Sequence, residues 1–180
     1  MKKIISDYMK NHKKGENAER DFFKSCKTLE EAVSYAALAR DNESKFSHQY
    51  RISNDALEDS RIILLKEIEK ISKVRTFHEL FELINSLIRP IHGIGDLVIY
   101  DTALRIGIKL GIKPEYIYLH AGTKEGAKNL GLPINTPFLH KSQIPKEFRD
   151  LEADQIESIF CIYKNDFNNR SPTKIRGSHC

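Results

Sequence analysis

The residues whose types and spacing carry the most chemistry are Ile91-His92-Gly93-Ile94-Gly95-Asp96, in the middle of a 180-residue chain. Two glycines at alternate positions flank one aliphatic side chain, and glycine lets a backbone turn sharply and bring its N–H groups close to a partner. Ahead of them an apolar run, Phe77 to Ile88, stops at Pro90, which pushes the residue before it out of helical geometry. Behind them a second apolar run opens at once, so the unpaired amides and positive dipole end of a new helix face the same spot. Such a corner suits an anion, most often a phosphate. A bare Gly-x-Gly also serves simply to end one helix and begin the next, and that plainer use stays open.

Leu87 to Gly107 resembles a helix-hairpin-helix, the DNA-backbone-binding unit of many repair enzymes, glycosylases, ligases and nucleases. The resemblance rests on apolar-x-Gly-aliphatic-Gly, here Ile91-His92-Gly93-Ile94-Gly95, with Ala103 as the small residue where the two helices touch. It implies DNA as partner, held by its duplex or junction backbone without sequence preference through Ile91, His92, Gly93, Ile94, Gly95 and Asp96. Two positions depart from the motif: Leu97 stands where a basic residue is common, and Asp96 puts an acid where a phosphate would sit. Glycosylases with this motif set a catalytic aspartate in the connector after the second helix, and some add a lysine nucleophile just past the glycines. Here the connector from Glu115 to His120 offers Glu115 but no aspartate, and Leu97 stands at the lysine position. Catalytic residues are therefore left unassigned, with Glu115 and Asp101 the carboxylates that an altered glycosylase or lyase would use. A third reading is a helical module that binds other proteins. The longer stretch from Thr28 to Phe167 is similar to bacterial proteins without an assigned activity, which adds none.

A second group of donors, His120, Gly122, Thr123 and Lys124, gathers where Thr123 can cap a short helix ending at Leu130. It forms a second candidate anion seat; the alternative is a hydrogen-bonded interior His120. Asp101 falls one turn from Arg105, which reads either as a carboxylate in a cleft or, more simply, as an ion pair. The polar loop from Asp41 to Ile52, with Lys45, His48, Gln49, Tyr50 and Arg51, offers cations, amide groups and an aromatic face to phosphates or a base. Equally, Phe46 and Tyr50 can anchor that loop in the core.

The elements that must position these residues read as helices. Thr28 with Glu31 and Thr76 with Glu79 have capping-box spacing. Ser53 caps a helix expected to run to about Lys73, with Leu57, Leu64, Ile68 and Ile71 at helical spacing. Further helices are expected over residues 17 to 27 and 151 to 167. Tyr116 to Leu119 is strand-like but has no evident pairing partner, so it reads as an extended or short helical connector, and residues 133 to 145 read as irregular. The expected fold is all-α, a compact helical bundle containing one central helix-hairpin-helix at 77–111. That bundle forms a helical domain at 16–167, with a basic N-terminal arm or helix at 1–15 and a disordered basic tail at 168–180.

A net charge of +4 permits nucleic acid binding without demanding it, because 25 acidic residues offset 29 basic ones. No apolar run approaches the ~20 residues needed to span a bilayer, so no membrane partner is expected. The first residues break their apolar run too early for a secretory signal. Cys26, Cys161 and Cys180 lack paired spacing, so no disulfide framework, metal site or cofactor is expected, and a reducing cytoplasm is the expected home. There is no Walker-type phosphate loop, His-Glu-x-x-His, Gly-x-Ser-x-Gly or Cys-x-x-Cys.

Overall fold

The computed structural model describes residues 1–46 and 49–167, so His48 and the expected basic tail at 168–180 lie outside the described residues. Elements follow in the order α1 (Lys2–Asn11), α2 (Lys13–Ser25), α3 (Leu29–Ala37), α4 (Asn54–Lys66), α5 (Ile68–Lys73), α6 (Phe77–Ile88) and α7 (Asp96–Leu110). Then come β1 (Ile117–Tyr118), α8 (Ala121–Asn129), β2 (Phe138–Leu139) and α9 (Ala153–Ile162). The chain is mostly helical, as the sequence implies. Its described residues group into two compact units, one of residues 16–113 and one that joins residues 1–15 to residues 114–167. The sequence pattern alone implies a single helical domain from 16 to 167.

In the unit of residues 16–113, α7 packs against α3 and α6, and α4 packs against the same two helices. The helix starts are built by short polar side chains. Thr28, Ser53 and Thr76 each accept a backbone N–H three residues on, from Glu31, Ala56 and Glu79. At Thr76 the box is reciprocal, since the Glu79 carboxylate accepts from the Arg75 and Thr76 amides at 2.8 and 3.1 Å. Those amide bonds hold the Glu79 carboxyl below the usual glutamate range. The long helix expected from Ser53 to Lys73 is broken at Glu67, whose backbone leaves helical geometry at φ −102° and ψ 17°. On α6 the spacing of Phe77, Leu80, Ile84 and Ile88 produces one fully buried stripe. Ala103 is fully buried, as expected for a contact position. One turn later, a Cβ on Gly107 would lie 3.1 Å from the Ile112 carbonyl and in ordinary contact with Phe77 and Leu80 of α6.

In the other unit, α1 packs on α9 through Ile4 and Tyr8, so the N-terminal segment is a docked helix. The Tyr163 hydroxyl donates to Asp7 Oδ2 at 2.7 Å, and burial together with that carboxylate pushes the phenol well above the ordinary tyrosine range. The strand-like run does find a partner: Ile117 pairs with Leu139 and Tyr118 with Phe138, antiparallel. The expected irregular segment thus supplies a strand, followed by 3₁₀ turns at Lys141–Gln143 and Lys146–Phe148. Helices α8 and α9 pack so closely that a Cβ on Gly122 would overlap Cys161, and one on Gly126 would overlap the Phe160 carbonyl. Cys26 is a free buried thiol, and Cys180 lies outside the described residues.

Two outcomes follow. Gly126→Ala should lower the thermal stability by about 1–3 kcal/mol, since backbone must move to admit the methyl group. Gly15→Ala, with nothing within 4 Å of the added carbon, should be neutral or stabilising by up to ~1 kcal/mol; equal effects at the two sites would contradict the packing. Because the folded Glu79 value lies below the unfolded one, its stabilisation is present above about pH 4.3 and is lost as pH falls further. Acid titration of unfolding should therefore be shallower in Glu79→Gln than in the wild type.

Candidate nucleic-acid interface

The hairpin is built from a turn and a helix start. Helix α6 ends at Ile88, the Ile91 amide donates to the Ile88 carbonyl, and the Ile94 amide donates to the Ile91 carbonyl, each at 3.1 Å. Gly93 occupies the third position of that second turn with φ +91°, the left-handed value that excludes most side chains and that a type II turn demands. Gly95 is different. Its φ of −105° is open to any residue, and a Cβ built there would meet nothing within 4 Å. Nothing in the chain's own packing requires glycine at 95.

Between the two exposed glycines, Ile94 is only 6% exposed, so its side chain turns inward while the flanking backbone faces out. Gly95 is the N-cap of α7 and provides no side-chain acceptor, unlike Thr28, Ser53 and Thr76 at α3, α4 and α6. The first helical bond of α7 runs from the Ile99 amide to the Gly95 carbonyl at 3.2 Å, so the amides of Asp96, Leu97 and Val98 precede the intrahelical pattern. His92 and Asp96 are exposed, Ile91 and Leu97 half-buried. The Asp96 carboxylate, at the position a phosphate would prefer, accepts from Arg89 across the hairpin at 2.6 Å. Both partners of that pair are solvent-exposed, which limits its contribution to about 0–1 kcal/mol. Arg89 was not among the residues singled out from sequence. Its position just past α6 and ahead of Pro90 was the available signal.

The second candidate seat differs from expectation. Helix α8 begins at Ala121 with His120 as its N-cap, three residues earlier than a Thr123 cap would allow. His120 and Thr123 are buried against Glu157 of α9: the Thr123 hydroxyl donates to Glu157 Oε1 at 2.5 Å, and His120 Nε2 contacts the same oxygen. Gly122 is pressed on Cys161, and only Lys124 reaches the surface. The four residues do come together, but a carboxylate of the chain itself already occupies the centre. They form an interior polar cluster, the alternative reading of His120, and not an open anion seat.

Asp101 and the polar loop meet at one buried arginine. Arg105, with its side chain 2% exposed, donates to Glu19 Oε1 at 2.6 Å and to Gln49 Oε1 at 2.7 Å, and lies 3.9 Å from Asp101. Gln49 returns a bond from its Nε2 to Asp101 Oδ2 at 3.1 Å, and the guanidinium sits 4.1 Å above the Phe46 ring. The Asp101 carboxylate is thus tied to this network. Its ion-pair reading holds, and Phe46 anchors the loop, whereas Tyr50 points into solvent. Glu115 is exposed. Among the described residues, no helix is long and apolar enough to cross a membrane.

Comparisons with protein-family models, with curated proteins and with solved structures return no match to this chain.

Removing Arg105 should leave the Glu19 and Asp101 carboxylates uncompensated in a partly buried site. Arg105→Ala is expected to destabilise the fold by about 3–5 kcal/mol in urea denaturation, and Arg105→Lys by a substantial part of that, since one ammonium cannot reproduce the fork. A loss below ~1 kcal/mol would contradict the network.

Proposed function

We propose that this protein binds DNA by its phosphate backbone, on duplex or junction and without strong sequence preference, through the hairpin from Ile91 to Asp96. The reading rests above all on Gly95. The fold does not need glycine there, yet its absent side chain leaves the start of α7 without a side-chain cap and with open space beside it. Backbone N–H groups at such a corner position a protein on DNA but read no bases. The buried Ile94 supports the same reading by holding both glycines outward.

Asp96 opposes an incoming phosphate, and its pairing with Arg89 offsets that repulsion. The pair also brings a guanidinium to the edge of the hairpin, a cation in the neighbourhood where the motif more often has a basic residue at Leu97. The glycosylase-like reading draws less support, because one of its two candidate carboxylates, Asp101, is bound by Gln49 and Arg105. A protein-docking module would show a contiguous apolar patch. Among the described residues, the exposed large hydrophobic side chains are Met1, Tyr50 and Ile62.

Fluorescence anisotropy with a duplex of about 20 base pairs tests the proposal. Wild-type affinity should fall by about 0.9 log unit per log unit of salt for each phosphate neutralised. Gly95→Leu, which the open space admits without strain, should weaken binding at least tenfold with unchanged helix content by circular dichroism. Adding Gly93→Val should abolish binding. Equal affinity in wild type and both variants would overturn the proposal.

A further inference from the structure

Tyr50 is 66% exposed, while Gln49 beside it is 1% exposed. The contrast has a structural cause. The carboxamide of Gln49 is clamped on both sides by α7, accepting from Arg105 and donating to Asp101. The Ile52 amide donates to the Gln49 carbonyl at 3.1 Å, closing a turn with Tyr50 and Arg51 at its two corners. Residues 40–45, earlier in the same connection, are held as well. The Asp41 carboxylate accepts from the Glu43 and Ser44 amides at 2.8 Å, Arg40 bridges to Lys45, and the Lys45 ammonium donates to the Ile52 carbonyl at 2.6 Å. Tyr50 is therefore an aromatic ring presented to solvent from a fixed base, with the exposed Arg51 beside it.

The helix that clamps this turn is the one that begins at the hairpin. Asp101 and Arg105 lie five and nine residues beyond Asp96, about 8 and 14 Å along the axis at ~1.5 Å per residue. That span equals about two to four base steps of ~3.4 Å on a DNA strand. A strand gripped at the hairpin and continuing alongside α7 would bring its neighbouring bases level with the turn.

We infer that Tyr50 is a base-stacking residue, with Arg51 on the adjoining phosphate, so that the preferred ligand is DNA carrying an unpaired base close to a duplex segment. This rests on the hairpin reading and narrows its ligand. In an intact duplex the base faces are stacked on one another and closed to a side chain; an unpaired base exposes its π-face, and every base has one. The expected preference is sequence-tolerant.

The test compares an intact duplex of about 20 base pairs with the same duplex carrying one unpaired base, by anisotropy. Wild type, Tyr50→Ala, Tyr50→Phe and Gly95→Leu are measured on both. Wild type should favour the unpaired-base duplex roughly tenfold, as expected for one stacked base. Tyr50→Ala should bind both equally, at the wild-type affinity for intact duplex, and Tyr50→Phe should retain the preference. A preference surviving Tyr50→Ala, or a wild type indifferent to the unpaired base while Gly95→Leu still weakens binding, overturns the stacking role and leaves the hairpin reading standing. A wild type that binds neither duplex overturns both.

Discussion

The burial of Ile94 is the constraint on which the hairpin depends. Placing one large aliphatic side chain in the core contributes roughly 1.5–3 kcal/mol, and here it does so between two glycines that have no side chains to bury. The turn cannot rotate without exposing that isoleucine, so the backbone on either side is held toward solvent. The left-handed Gly93 lets the chain reverse within one turn. The next helix then starts before any side chain can cap it. A single apolar contact thus fixes the direction in which a set of backbone donors points.

Helix α7 extends that constraint through its unit. One stripe, with Ile99, Ala103 and Ile106, is fully buried, and α6 packs against the helix. On another side Arg105 joins α2, the α3–α4 loop and its own helix through Glu19, Gln49 and Asp101. Burying a guanidinium costs several kcal/mol unless its hydrogen bonds are made, and three polar partners with an aromatic face meet that demand here. The result is a helix exposed at its N-terminal end and tied to its neighbours along its length. Stiffness matters for recognition through backbone amides, because donors already in position lose little entropy on binding.

What could be read from sequence was local. Capping residues Thr28, Ser53 and Thr76 act within one turn, and each caps its helix as its spacing implies. The stripe on α6, the stop before Pro90 and the left-handed Gly131 after α8 depend on near neighbours as well. The misses were long-range. Ile117 and Tyr118 pair with a segment that contains prolines and looked irregular, and no property of either stretch alone announces the match. Gln49 is an ordinary polar residue in a polar loop until Arg105, far along the chain, gives its carboxamide two partners. The donors at His120 and Thr123 looked free because Glu157, which fills the space between them, comes from another helix. For the same reason, the hairpin's glycines were visible while the Arg89–Asp96 pair across them was not.

The most direct measurement of the central claim is a titration of ¹⁵N-labelled protein with short duplex DNA, followed by amide chemical shifts. If the glycine corner grips phosphate, the amides of Gly93, Gly95, Asp96 and Leu97 should shift most, moving downfield as they gain a charged acceptor. Binding that leaves those four resonances in place while others move would contradict it.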